Sequence, residues 1–405
     1  MFAVGTRRTI AGLTLALLGG ALLAVALSGC GIDLREPVQR WSGIGTTTAH
    51  PIASTVTSGP PTAAETTTGA RATTESAVAV VPATHTAAAL RARIRDAGKA
   101  GFTTGPRRTE GLKVSIDESF RFQGKRYTVR FTVPRADLDW SEGRNLEIEV
   151  YPRESRAGQL KRFWTTVTLD PHQTALYDSL SESFRSIRRG ARLGSDEYVE
   201  LITAYIQQMP YDTAEAESQA SNRYPVVTAF RGTGVCGDKS ILLAGLLAHE
   251  GYRVSLLEFE SETHMSVGIG TSGAGYRDTH LAFVETTGPG LVGEVGKAYG
   301  TDGTIVLRST PLVVPIATEG TDYRAGDQVT AILDRRRDYE RTYASLRARI
   351  DAAGKTLDHY DRAAVNRYNT MIRRFNRAAT TINTIIDHLD DREALNAYLK
   401  SRGAP

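Results

Sequence analysis

The chain has 405 residues and a formal net charge of +4, with 41% hydrophobic and 23% charged residues. This composition is ordinary for a folded soluble protein and excludes a wholly disordered chain or a protein with many membrane spans. Acidic residues nearly balance the basic ones, and no basic stripe is interleaved with aromatic side chains, so nucleic acid is not an expected partner. The only two cysteines, Cys30 and Cys236, argue against a disulfide scaffold and suggest a separate role for each.

The first cysteine closes a segment that is typical of an export signal. Arg7 and Arg8 form a positive start, residues 10–27 are apolar or small, and Leu-Ser-Gly-Cys ends at Cys30. This resembles a prokaryotic lipoprotein signal, which implies cleavage before Cys30, lipidation of its thiol and a lipid-anchored protein on the extracytoplasmic face of the cell membrane. An uncleaved anchor is the alternative, because roughly 20 apolar residues can span a bilayer. The sequence also leaves the Sec and Tat export routes open.

The segment that follows has the composition of a tether. Residues 46–74 contain 11 Thr, with Ser, Pro, Gly and Ala between them. Such a chain buries too little apolar surface to offset its entropy, so we expect a Thr-rich disordered tether over 30–86 after the signal peptide at 1–29. A short helical or linker segment is expected over 87–111.

From residue 112 the apolar residues alternate with polar ones. The clearest alternation is at 127–133, after a plausible hairpin turn at 123–125, and further apolar runs lie at 146–150 and 163–169. This period of two predicts a small antiparallel β module over 112–170, without a catalytic constellation of its own.

Helical spacing follows the β module. Apolar residues recur at positions 176, 180, 184 and 187, and a second helix is expected from an N-cap at Ser195 to about Gln208. These helices open the predicted catalytic domain, which we place over 171–318.

Cys236 stands where a glycine-rich turn meets an apolar helix. Residues 231–240 read Arg-Gly-Thr-Gly-Val-Cys-Gly-Asp-Lys-Ser, and the helix ends at Gly251. A helix N-terminus offers unpaired N–H groups and about half a positive charge, which favour a thiolate and can receive an oxyanion. Gly234 and Gly237 would leave space for a substrate beside the sulfur. The alternative is a buried structural cysteine.

A nucleophilic cysteine needs a base, and the base needs a group that orients it. Strand-like runs cover 254–259, 264–269 and 281–286; His264 begins the second and Glu285 lies near the end of the third. If these two runs pair as a hairpin, His264 and Glu285 can lie side by side on one face. Cys, His and acid would then form a triad.

Five segments between about 195 and 295 carry a more specific pattern. They read Tyr-Ile-Gln-Gln-Met-Pro-Tyr at 205–211, Arg-Tyr-Pro at 223–225, Gly-Val-Cys-Gly-Asp-Lys-Ser-Ile-Leu at 234–242, His-Met-Ser-Val-Gly at 264–268 and Phe-Val-Glu-Thr-Thr at 283–287. In order and spacing they resemble the transglutaminase-like superfamily of the papain-like cysteine proteinase fold, in its prokaryotic and often archaeal secreted branch.

The resemblance implies an α+β fold with Cys236 on a helix N-terminus and with His264 and Glu285 on antiparallel strands. It implies that Cys236 is the nucleophile, that His264 is the general base and acid, and that Glu285 orients His264. Gln207 and Gly237 become candidates for the oxyanion hole, and Tyr211 for the wall of the cleft.

The sequence also departs from the pattern of that branch. Val235 and Gly237 stand where it usually carries acidic residues, and Thr263 stands where a glycine usually precedes the histidine. These changes bear on substrate preference more than on catalytic competence.

The chemistry implied is acyl transfer through a thioester. Hydrolysis of a peptide or isopeptide bond is our leading hypothesis; a transamidating protein-glutamine acyltransferase and a non-catalytic binding protein with the same fold are the alternatives. We expect no cofactor and no metal, because Cys236, His249, His264 and His280 fit no zinc spacing and no acidic cluster suggests calcium.

The last 80 residues change character again. Apolar residues alternate at spacings of three and four over 329–350 and again over 365–389, with a break at Gly354. Such a/d spacing indicates a coiled-coil-like antiparallel helical hairpin over 319–405. The hairpin could pack on itself and on the enzyme domain or bind a protein partner, and the spacing leaves both open. Arg336 occupies one of the core positions, where it could set register or reach solvent.

Overall fold

The computed structural model describes residues 101–218, 222–295, 298–300 and 303–403. The predicted signal peptide, the lipidation site at Cys30 and the Thr-rich tether lie outside the described residues. Within the described ranges, no helix combines the length and the apolar character needed to cross a membrane. The fold is mixed α+β, with antiparallel sheets and a C-terminal helical region.

The N-terminal part of the described chain is a small sheet followed by two helices. The strands β1–β4 span Thr103–Thr104, Arg108–Glu110, Lys113–Phe122 and Lys125–Pro134, and the helices α1 and α2 span Arg135–Glu142 and Arg156–Thr168. All pairs are antiparallel, and β3 pairs with β1, β2 and β4. The predicted hairpin turn is confirmed: Gln123 and Gly124 both have positive φ angles, as a two-residue hairpin loop requires.

Two of the strand predictions for this region are wrong. Residues 144–150 form no regular structure, and 163–169 falls largely in α2. The buried side chains of α2 (Leu160, Phe163, Trp164 and Val167) recur at three and four residues, which is helical periodicity. Of the helical or linker segment expected over 87–111, the structure describes residues from 101 onward, and there β1 and β2 pair with β3.

The central part of the chain packs helices against a second antiparallel sheet. The helices α3–α7 span Thr174–Ala191, Ser195–Gln208, Thr213–Ser218, Pro225–Arg231 and Cys236–His249. The strands β5–β10 span Val254–Phe259, His264–Gly270, Leu281–Val284, Ala298–Gly300, Gly303–Ile305 and Leu312–Ala317. The sheet has the order β10-β5-β6-β7, and β8 pairs with β9 separately. Helix α7 contacts β5 and β6 on one side and α3, α4 and α6 on others, so it occupies the centre of the core.

The N-cap of α4 differs by one residue from the prediction. Gly194, not Ser195, is the cap, and its backbone N–H donates to the Glu197 carboxylate at 2.9 Å. The Glu197 carboxylate thus accepts the backbone N–H of the capping residue itself, a donor that a serine hydroxyl at the cap would not reach.

The C-terminal region is an antiparallel hairpin with an additional helix. The helices α8, α9 and α10 span Gly326–Gly354, Arg362–Asp387 and Arg392–Arg402. Tyr343 and Phe375 stack across the hairpin with ring centroids 4.5 Å apart. Helix α10 was not predicted, although Asp391 provides a start signal: its carboxylate accepts from the Ala394 backbone N–H at 2.9 Å.

Polar contacts join the base of this hairpin to the rest of the fold. The Tyr323 hydroxyl and the Arg392 guanidinium both donate to Glu200 Oε1 at 2.6 Å. Arg336 donates to Glu294, also at 2.6 Å, in the loop that follows β7. Arg336 therefore connects α8 to that loop, and the hairpin packs at its base on the central part of the chain.

A buried carboxyl group lies inside the N-terminal sheet. Glu118 on β3 is fully buried and accepts a hydrogen bond from the Tyr205 hydroxyl. Burial raises the pKa of Glu118 to about 7, although Tyr205 and the charge of Arg107 act in the opposite direction. A group with a raised pKa in the folded state contributes stability below its unfolded pKa and loses it as the pH rises through the folded value.

We therefore expect Glu118→Gln to stabilise the protein at pH 8 but not at pH 5. A change from 4.5 to about 7 corresponds to a difference of about 3 kcal/mol in the free energy of unfolding. Urea unfolding of the wild type and the variant at both pH values measures it. Glu110→Gln, on the exposed strand β2, is the matched control and should change stability by less than about 0.5 kcal/mol. An equal effect of Glu118→Gln at both pH values would contradict the prediction.

Candidate active site

Cys236 is the first residue of α7 and carries a free, partly exposed thiol. The residues of α7 from Gly237 to Leu247 are all buried, so the helix is fixed in the core while its first side chain reaches the surface. Val235 is the N-cap in an extended conformation, and Asp238 at the third helical position accepts its backbone N–H at 3.3 Å. The sulfur therefore lies at the positive end of a buried helix.

His264 begins β6 and its side chain is buried. Its Nε2 atom lies 3.2 Å from Glu285 Oε2 and 3.1 Å from Ser266 Oγ. The Cys236 side chain acts on the same ring and raises the pKa of His264. His264 thus lies between the thiol and the carboxylate.

Glu285 follows directly after β7 and is held by its own chain. Its Oε1 atom accepts three hydrogen bonds, from the backbone N–H groups of Thr286 and Thr287 at 2.9 Å and from the Thr287 hydroxyl at 2.7 Å. With Oε1 saturated, Oε2 is left to face His264. Burial alone would raise the pKa of Glu285, but the charge of His264 and these hydrogen bonds lower it below its ordinary value.

The same contacts determine the charge of the imidazole. Burial alone would lower the pKa of His264, but the charge of Glu285 and the hydrogen bonds with Cys236 and Glu285 outweigh it and raise the pKa to about 10. At neutral pH the buried pair is therefore an imidazolium and a carboxylate.

The strand register explains how sequence positions 21 residues apart meet. Val267 of β6 pairs with Val284 of β7, and continuing this register places Ser266 opposite Glu285. His264 and Ser266 are two residues apart and share a face of the strand, so both side chains reach the carboxylate. The structure thus brings Cys236, His264 and Glu285 together, as the sequence predicted.

Gln207 has a different role from the one predicted. Its Nε2 atom donates to the backbone carbonyls of Glu285 at 2.9 Å and Gly290 at 3.0 Å, and its Oε1 accepts from the Gly290 N–H at 3.3 Å. Both amide hydrogens are used, so none is left for an oxyanion, and the prediction of an oxyanion role is wrong. Gln207 instead anchors the loop that follows Glu285 to the end of α4.

The sequence suggested that Gly237 leaves space for a substrate, but in the structure this space is filled. The carboxamide of Asn222 fills the position of its missing side chain: a Cβ atom there would lie 2.5–2.8 Å from three carboxamide atoms. Gly234 is similarly close to Asp238 and Thr228. Both glycines permit close packing around the helix start, and the candidate oxyanion donor at Gly237 is its backbone N–H.

Asp238 fixes the Asn222 segment to the helix. Its Oδ1 atom accepts from the Arg223 backbone N–H at 2.8 Å. The Arg223 guanidinium forms ion pairs with Asp212 at 2.8 Å and with Glu215 at 2.7 Å. One wall of the site is therefore built from short charged contacts around the start of α7.

Tyr211 lies beside the same helix start. A parallel β-bridge joins it to Gly234, and its side chain is half-buried. Burial raises the pKa of Tyr211, and the nearby charges of Cys236, Asp238 and Glu285 add to the effect. The role of Tyr211 at the wall of a cleft stays a prediction.

The histidines considered as zinc ligands are not gathered at one place. His249, at the far end of α7 from Cys236, contacts Asp178 at 3.0 Å, and His280 Nδ1 lies 2.9 Å from the Gly273 carbonyl. Across the described ranges, no cluster of three or more His, Cys, Asp or Glu side chains is arranged to hold a metal ion.

Thr263, immediately before His264, has a left-handed backbone with φ 48° and ψ 47°. Such a conformation is unfavourable for a β-branched residue, whereas glycine adopts it freely. Its carbonyl oxygen lies 4.0 Å from Cys236 Sγ. The position where the resemblance leads one to expect glycine is therefore strained and in contact with the nucleophile.

We expect Thr263→Gly to raise the free energy of unfolding by about 1 kcal/mol, because it removes this strain. Urea unfolding measures the change. Thr174→Gly is the matched control, since Thr174 is exposed and has right-handed helical angles, and it should destabilise the protein slightly. A loss of stability in Thr263→Gly equal to that of the control would contradict the prediction.

The sequence did not single out several residues that complete the site. Ser266 could have been found from its spacing of two from His264, and Thr287 from its place beside Glu285. Lys239, one helical turn after Cys236, and Asn222 gave no local signal, because their partners are distant in sequence.

Comparisons with known proteins do not assign this geometry to a family. The chain matches no family model, no curated protein and no solved structure.

Proposed function

We propose that the protein is a surface-anchored, transglutaminase-like thiol enzyme that hydrolyses peptide or isopeptide bonds through Cys236, His264 and Glu285. One observation carries the proposal: the His264 imidazole lies between a partly exposed thiol and a carboxylate whose other oxygen is occupied by three donors. A purely structural histidine would need neither the thiol nor the saturated carboxylate. The position of α7 against the sheet that bears His264 supports a papain-like core.

The contacts support a two-step acyl transfer. The Cys236 thiolate attacks the acyl carbon, the carbon–nitrogen bond breaks, and the His264 imidazolium gives its proton to the leaving amine. Water then attacks the thioester, His264 takes a proton from it, and the carbon–sulfur bond breaks to restore the thiolate. Glu285 keeps the imidazole in one orientation throughout and stays ionised.

The negative oxygen of each tetrahedral intermediate needs hydrogen-bond donors. With Gln207 engaged elsewhere, the backbone N–H groups of Cys236 and Gly237 at the first turn of α7 are the candidates. They are fixed in a buried helix, and preorganised donors of this kind lower the barrier most.

The sequence supports a location outside the cytoplasmic membrane for this chemistry. Lipidation of Cys30 would anchor the chain, the Thr-rich segment would hold the folded part away from the lipid, and Cys236 would have no second thiol in its own chain. Peptides or proteins at the cell surface are the proposed substrates.

Incubation of the purified protein with a peptide and isopeptide library, read by mass spectrometry, tests the proposal. We expect cleavage by the wild type, none by Cys236→Ala, and full cleavage by Cys30→Ala, which removes only the predicted lipidation site. New conjugates when a primary amine is present would show transamidation. Equal product patterns for the wild type and Cys236→Ala would contradict the proposed enzyme and favour a binding protein.

A further inference from the structure

Lys239 is a lysine with no exposed surface, one helical turn after Cys236 on α7. Its Nζ donates to the backbone carbonyls of Met209 at 2.8 Å and Gln207 at 3.3 Å, at the end of α4. A buried ammonium group is costly unless it is compensated, and lysine is almost never fully buried without a reason.

The two carbonyl oxygens accept hydrogen bonds from Nζ, but they do not neutralise its positive charge. Among the described residues, no carboxylate lies within ion-pair distance of Nζ. The negative groups that act on Lys239 are Glu285, from the end of β7, and Cys236, from its own helix. Burial lowers the pKa of Lys239 to about 7, against the charges of these two groups, which act to raise it. Its positive charge is therefore favoured when both neighbours are ionised.

We propose that Lys239 is a positioning residue of the acyl-transfer site, where its buried ammonium group stabilises the thiolate of Cys236 and the carboxylate of Glu285 from beneath the helix start. This inference rests on the proposed function. The carbonyls of Gln207 and Met209 hold the ammonium group in the interior, on the side of α7 that faces α4, so we assign it no direct contact with reacting atoms. It acts through a low-dielectric interior, where a charge has more influence than at the surface.

Other ionisable groups also interact with Cys236, and the test has to distinguish their effects from the effect of Lys239. His264 on β6 and Tyr211 after α4 both interact with it, and Asp238 on α7 is near Tyr211. Arg223 and Glu215 lie beyond Asp238. Removal of Lys239 leaves the imidazole–carboxylate contact in place, and the Lys239→Gln variant keeps hydrogen-bond donors, so a slowing shared by both Lys239 variants reports the loss of the ammonium charge.

The test is the rate of Cys236 alkylation by iodoacetamide between pH 5 and 9.5 in the full-length protein, followed at the Cys236 peptide by mass spectrometry. Lys239→Met removes charge and donors, and Lys239→Gln keeps donors but removes the charge. We expect both variants to react about tenfold more slowly than the wild type at pH 6 and at the same rate at pH 9.5, where Lys239 is neutral in the wild type as well. The exposed Lys161→Met is the matched control and should follow the wild-type profile.

Salt distinguishes a buried charge from a surface effect. We expect the tenfold difference to persist in 1 M NaCl, because buried interactions are screened little. A Lys239→Gln profile equal to the wild type, or an equal slowing at every pH, would overturn the inference. These outcomes are separate from a failure of the proposed function, in which the wild type and His264→Ala would react alike at every pH.

Discussion

Glu285→Gln is expected to lower the free energy of unfolding by about 3 kcal/mol and to slow the proposed hydrolysis at least a hundredfold. The substitution removes the only carboxylate that faces His264 within the described residues and leaves the imidazolium buried beside a neutral amide. The imidazole then loses its proton or its orientation, and either change weakens proton transfer to the leaving amine. Urea unfolding and turnover of a cleaved peptide measure the two effects.

A neighbouring carboxylate provides the control for this substitution. Glu258 on β5 accepts from the Trp164 indole N–H at 3.1 Å and does not contact His264. Glu258→Gln should therefore cost less than about 1 kcal/mol and leave turnover unchanged. If Glu285→Gln behaved like this control, Glu285 would not be the residue that orients His264.

The stability of the wild type should fall steeply at alkaline pH because of the same pair. The pKa of His264 is about 10 in the folded protein against 6.5 for an ordinary histidine, so its contribution is fully present below pH 6.5 and is lost as the pH rises through about 10. We expect this contribution to be on the order of 5 kcal/mol.

Comparison with a double variant isolates this contribution from other alkaline titrations. His264→Gln combined with Glu285→Gln removes both ionisations, so the stability difference between wild type and double variant should shrink between pH 6.5 and 10. Urea unfolding at four pH values across this window measures it. A difference that stayed constant over the window would show that the pair is not an imidazolium and a carboxylate.

Local signals in the sequence, together with the family resemblance, pointed to the three residues that the structure brings together. Cys236 follows glycines at the start of an apolar helix. His264 begins β6 and Glu285 directly follows β7, and these two short strands pair in sequence order. Each of these features depends on a stretch of about ten residues or on the register of one hairpin. Over such short distances, apolar periodicity and turn residues are informative.

What the sequence did not reveal depends on contacts between distant segments. Gln207 meets Glu285 across 78 residues, and its amide is used there rather than at an oxyanion. Asn222 fills the space beside Gly237 because Asp238 holds the next residue. Both contacts exist only after the chain has folded.

The fold was predictable to a similar degree. The β3–β4 hairpin and the long helices α8 and α9 follow from strong periodicity and clear breaks. Helix α2 was mistaken for a strand because its apolar residues form a short dense run that suits either structure until its partners are known. Helix α10 is short and its start depends on one capping aspartate.

The central claim is that His264 activates Cys236, and the most direct test is the rate of Cys236 alkylation by iodoacetamide at pH 6 in the wild type and in His264→Ala. With the imidazolium beside the sulfur, the wild-type thiol should react at least tenfold faster than the variant at pH 6, and the two rates should converge at pH 9.5. Equal rates at both pH values would show that His264 does not activate the thiol and would contradict the proposed enzyme.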